Sequence, residues 1–103
     1  MIEVKKVGNL GLEHKVLMGA ENSLDDQYLL IYLTRKKEFV TYFYNTEFDS
    51  VIMGHYLYSA VDGLKDLLNR AEKKIGEEKV EIYAVKENIH FLKDGKVKHW
   101  RGG

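Results

Sequence analysis

The chain has 103 residues, with sixteen basic and sixteen acidic side chains, so it carries no net charge, and 45% of it is hydrophobic. That length supports one domain, residues 1–103, around a single core without staples. Cysteine is absent, which excludes a disulfide framework and thiolate metal sites; proline is absent too, so no strand ladder loses a donor.

No apolar run reaches the length of a membrane span. The start, Met1-Ile2-Glu3-Val4-Lys5-Lys6, lacks the apolar stretch and small-residue site of a secretory signal. Together these point to a cytoplasmic protein with no membrane partner.

From the N-terminus, residues 2–7 and 12–18 read as strands joined by the turn-like Gly8-Asn9-Leu10-Gly11. Residues 27–33, 38–44 and 51–58 are rich in aromatic and β-branched side chains and read as three further strands. The link Thr34-Arg35-Lys36-Lys37 is short and charged, so the first two of these pair as a hairpin; residues 45–50 form the next loop. A helix is predicted over 60–75. Ser59 is placed to cap it, with Asp62 three residues on, and Val61, Leu64, Leu67, Leu68, Ala71 and Ile75 form one apolar stripe. Asp66 and Arg70 make a favourable pair one turn apart. Gly63 inside the helix costs about 1 kcal/mol against alanine, which suggests close packing at that point.

After the helix, residues 80–85, 89–93 and 96–100 read as strands. Asp94-Gly95 suits a two-residue type I′ turn, which needs positive φ at both central positions. That turn sets Leu92 opposite Val97, His90 opposite His99 and Ile89 opposite Trp100. The expected architecture is α+β: a mainly antiparallel sheet of six to eight strands in hairpins, with one amphipathic helix packed on one face.

Side chains alternate faces along a strand. Tyr28, Tyr32, Tyr42, Tyr44, Tyr56 and Tyr58 all occupy even positions in the three central strands. The opposite parity carries Leu29, Ile31 and Leu33, then Phe39 and Phe43, then Val51, Met53 and Leu57. This pattern predicts a greasy face that receives the helix and a tyrosine face that meets a partner or is covered by the chain itself. Tyrosine brings a large rigid contact area with a hydrogen-bonding tip, which suits it to interfaces.

Catalytic patterns are thin. Of the three serines, Ser23, Ser50 and Ser59, none stands in a nucleophile-elbow context, and the Gly8–Gly11 turn is not followed by a helix that would cradle a phosphate. Asp25-Asp26 reads as a solvated turn. His90 and His99 are two imidazoles short of the third ligand a metal needs, and His55 reads as a buried or edge histidine bonded to backbone. No enzyme activity, cofactor or metal is expected.

Three binding functions follow. The first is a small accessory regulator or inhibitor that binds a protein partner, or itself as a homodimer, through the six tyrosines. The second uses uneven charge: residues 21–62 hold seven acids against three bases, a net of −4, while residues 86–101 hold five bases against two acids, a net of +3. Phosphates need cations, so nucleic acid would be met by the basic C-terminal hairpin, with Lys93, Lys96, Lys98, Trp100 and Arg101. The third rests on the ending Arg101-Gly102-Gly103, which resembles the C-terminus of ubiquitin and the Gly-Gly ending of sulfur-carrier proteins. That resemblance implies a terminal glycine carboxylate that is activated and conjugated.

Overall fold

A computed structural model describes residues 2–73 and 79–94 of the chain. They form an α+β fold in which one antiparallel sheet of five strands carries one α-helix. The strands are β1 (His14–Asn22), β2 (Gln27–Leu33), β3 (Glu38–Asn45), β4 (Ser50–Leu57) and β5 (Val80–Ala84), in the spatial order β4-β3-β2-β1-β5. The helix α1 spans Ala60–Lys73. Among the described residues no helix is long and apolar enough to cross a membrane.

Five strands among the described residues are fewer than the six to eight expected, for two local reasons. Residues 2–13 run across one face of the sheet without joining it. Val4, Val7 and Leu10 pack there, and the Val4 amide donates to the Tyr83 hydroxyl at 2.9 Å. Ile89–Lys93 coils into a short 3-10 helix instead of a strand. Asn88 holds its entrance, donating from Nδ2 to the Val16 carbonyl at 3.0 Å while its own carbonyl accepts from the Phe91 amide. The predicted hairpin register about Asp94-Gly95 therefore has no first strand. Its second half, residues 96–100, lies outside the described residues, as do Ile75 and Gly76 at the helix end.

Hairpin geometry sets the two faces. Leu33 pairs with Glu38 across the four-residue link, so every even position of β2 sits opposite an odd position of β3: Tyr28 faces Phe43, and Tyr32 faces Phe39. The helix-side cluster accordingly contains Leu17, Ala20, Tyr28, Leu30, Tyr32, Phe39, Leu67 and Ala71. Leu29, Ile31, Leu33, Val40, Tyr42 and Tyr44 occupy the other side, beneath residues 2–13. Close approach of α1 falls where its glycine lies, since a Cβ on Gly63 would stand 2.8 Å from a Leu30 methyl. Ser59 caps the helix, its Oγ accepting from the Asp62 amide at 3.1 Å. Val61, expected in the apolar stripe, is exposed.

Candidate functional site

The six tyrosines do not share a face. Tyr28 and Tyr32 are buried on the helix side, where Tyr32 also stacks near Phe91 with ring centroids 5.4 Å apart. Tyr42 and Tyr44 are buried on the opposite side, under the N-terminal segment. Only Tyr56 and Tyr58 are exposed, both on or just beyond β4. The expectation of one continuous tyrosine surface is thus corrected, and the cause is the parity inversion across the β2–β3 link. The rings of β3 do point away from the helix; those of β2 do not.

A second irregularity lies in β4. Thr41 pairs with His55, yet Phe43 pairs with Ile52, so one extra residue is accommodated opposite Tyr42. Met53 takes up the bulge with φ 55°, in the left-handed region. Past it, Gly54 lets the Tyr42 ring approach, since a Cβ there would lie 2.7 Å from Cε1. The bulge restores Tyr56 to the Tyr42 side, with the two hydroxyls 3.5 Å apart, and turns His55 toward the helix.

β4 is an outer strand of the sheet. Its sequence, Ser50-Val51-Ile52-Met53-Gly54-His55-Tyr56-Leu57, contains no Lys, Arg, Asp, Glu or Pro, the residues that usually guard an edge. Of eleven exposed large hydrophobic residues among those described, six fall between 48 and 61: Phe48, Ile52, Met53, Tyr56, Tyr58 and Val61, each at least half exposed. The other edge, β5, has five residues and carries Glu81.

Beside this edge, on the helix side, lies a cleft of about 540 Å³ lined by Tyr28, Phe43, Met53, His55, Asp66, Asn69 and Arg70. One chain of hydrogen bonds crosses it. Arg70 Nη1 donates to the Thr41 carbonyl at 2.9 Å and to Thr41 Oγ1 at 3.2 Å. The Thr41 hydroxyl donates to Asp66 Oδ2, and His55 Nδ1 donates to the same oxygen at 2.9 Å. The Arg70 guanidinium also lies over the Tyr28 ring, 5.3 Å from its centroid. Burial lowers the pKa of Arg70, opposed by the nearby charge of Asp66.

The Asp66–Arg70 pair expected along the helix acts through the nearby charge of Asp66 on Arg70, while both side chains bond Thr41. His55, expected to bond backbone, bonds a carboxylate. Nothing local in the sequence marks this cluster, because its members come from β3, β4 and α1, and the bulge decides which way His55 points.

Among the other expected site residues, Lys93 ends the 3-10 helix. Lys96, Lys98, Trp100 and Arg101 lie outside the described residues, and so do His99, Gly102 and Gly103. No group of three metal-ligating side chains converges among the described residues.

The described elements form a small α+β fold with β4 as one outer strand and a polar-floored cleft beside it. No family profile matches this chain. No curated protein and no solved structure matches it either.

Proposed function

We propose that the protein is a small non-enzymatic binding module, of the regulator or inhibitor type, that takes an extended protein segment onto the edge of β4. The observation that carries this reading is an outer strand without Lys, Arg, Asp or Glu that holds three of the eleven exposed large hydrophobics described, with three more just before or after it. An outer strand offers a row of backbone donors and acceptors, and strand addition uses them for affinity while side-chain pockets supply selectivity. Tyr56 and Tyr58, with Ile52 and Met53, are the anchors; Tyr28, Tyr32, Tyr42 and Tyr44 act from within the core. The segment added comes from another protein or from a second copy of this chain. In a second copy, β4 has no Lys, Arg, Asp or Glu to set like charges of those side chains against each other across a two-fold axis. Thr41, the one hydroxyl within the polar chain, is fully buried and committed to Asp66 and Arg70, which suits support rather than attack on a substrate.

The test uses peptides selected from a random library on the wild-type protein, with light scattering over a range of concentrations to reveal self-pairing. Ile52→Lys and Tyr56→Lys place charge on opposite sides of β4 at exposed positions that the fold does not need. Both should weaken peptide binding or self-association by about tenfold or more. Undiminished binding in both variants would remove the edge from consideration.

A further inference from the structure

We propose that the cleft between α1 and β4 is a binding site for an organic carboxylate with a flat apolar body. Its volume, about 540 Å³, lies within the range of small-molecule sites. Tyr28, Phe43 and Met53 supply an apolar wall, and His55, Asn69 and Arg70 bring polar groups to it. The balance of charge selects the ligand. Asp66 is the one carboxylate lining the cleft, and it already accepts from Thr41 and His55.

Arg70 makes no ion pair among the described residues; its Nη1 is engaged only with neutral oxygens of Thr41. Its Nε and Nη2 donors remain for a ligand, in the planar fork that fits a carboxylate. A partly buried guanidinium without a direct counter-ion gains from an incoming anion.

His55 completes the site. Its Nδ1–H is committed to Asp66, so a ligand carboxylate is met by the imidazolium form, which carries a second N–H on Nε2. The requirement for a flat body follows from the wall. The Tyr28 ring meets Phe43 edge-on with centroids 5.5 Å apart, and its face carries the Arg70 guanidinium. Planar surfaces of this kind favour planar partners. The site shares Met53 with the strand-addition surface but uses no edge backbone group, so benzoate binding is tested apart from peptide binding.

The experiment is an NMR titration of the full chain with benzoate. Benzamide serves as the neutral analogue of the same shape, and inorganic phosphate as an anion without the ring. Benzoate should shift the His55 ring and Arg70 side-chain N–H signals saturably, with a Kd on the order of 1 mM for so small a ligand. Benzamide and phosphate should bind about tenfold more weakly or worse. Arg70→Lys, which keeps the charge and loses the fork, and His55→Gln should each weaken benzoate about tenfold. The wild-type comparison of the three ligands stands alone if a variant fails to fold. No saturable shift with benzoate, or equal binding of benzamide or phosphate, overturns the proposal.

Discussion

Tyr44 joins two duties at one side chain. Its ring belongs to the core beneath the N-terminal segment, and its hydroxyl donates to Asp49 Oδ1 at 2.6 Å. The other oxygen of Asp49 accepts from the Gly8 amide at 2.8 Å, and the Asp49 carbonyl accepts from the Asn9 amide at 3.0 Å. One residue thereby ties the N-terminal segment to the β3–β4 turn. Burial first, and then the bond to Asp49 and its charge, push the Tyr44 phenol up to about 12. An unfolded tyrosine ionises near pH 10, so between about pH 10 and 12 the unfolded chain releases a proton that the folded chain keeps. Stability from this group is therefore complete below pH 10 and falls as pH rises through the folded value. Burial raises the Tyr42 and Tyr83 phenols in the same sense. Tyr44→Phe should flatten part of the alkaline loss, read as a smaller drop in the urea midpoint between pH 10 and 12. An identical pH profile in the variant would mean that Tyr44 titrates alike in both states.

At the scale of elements, α1 begins where its cap stands. Ser59→Ala removes the acceptor of the Asp62 amide and should cost about 1 kcal/mol in chemical denaturation; a change below a few tenths would show that water replaces the hydroxyl. This start was legible because serine, the acidic residue three positions on and the leucine spacing all speak locally. The hairpin of β2 and β3 was legible for the same reason, from its short charged link.

That link also fixes side-chain direction. A loop of four residues pairs Leu33 with Glu38 and so couples even positions of one strand to odd positions of the next. Two strands that each carry tyrosines at even positions must then show them on opposite sides. The bulge at Met53 had no comparable signal beyond the neighbouring Gly54, and the polar cluster of Thr41, His55, Asp66 and Arg70 depends on it. The 3-10 helix at Ile89–Lys93 is not legible because Ile89 and Phe91 flank His90 with the spacing of a strand. Phe91 packs against Tyr32, a contact that no local pattern records.

At the scale of the whole molecule, the sheet has covers of different kind on its two faces. α1 and the 3-10 helix lie on one. An irregular segment, residues 2–13, lies on the other, held by Val4 to Tyr83, Val7 to His14 Nε2 at 3.1 Å, the two contacts with Asp49 and Asn9 Nδ2 to the Phe48 carbonyl at 2.6 Å. The exposed ion pairs Lys5–Glu87 and Glu13–Arg35, each at 3.1 Å, add to these. His14 donates from Nδ1 to the Leu12 carbonyl at 2.7 Å, which leaves Nε2 with the lone pair that the Val7 amide requires. Val7 is fully buried. Deleting residues 1–10 should lower stability by about 3 kcal/mol or more, from Val7 and its partly buried neighbours. It should also raise the fluorescence of a dye that binds apolar surface, as Leu29, Ile31 and Tyr42 meet water. Unchanged stability and fluorescence would show that the segment is not part of the core.

The left-handed kink at Met53 bears on a hazard as much as on recognition. A greasy, uncharged outer strand invites copy after copy to stack into fibrils, and such growth needs a flat run of six or seven residues. Met53 and Gly54 cut β4 into two shorter runs, so it can accept one short visitor while offering poor footing for endless polymerisation.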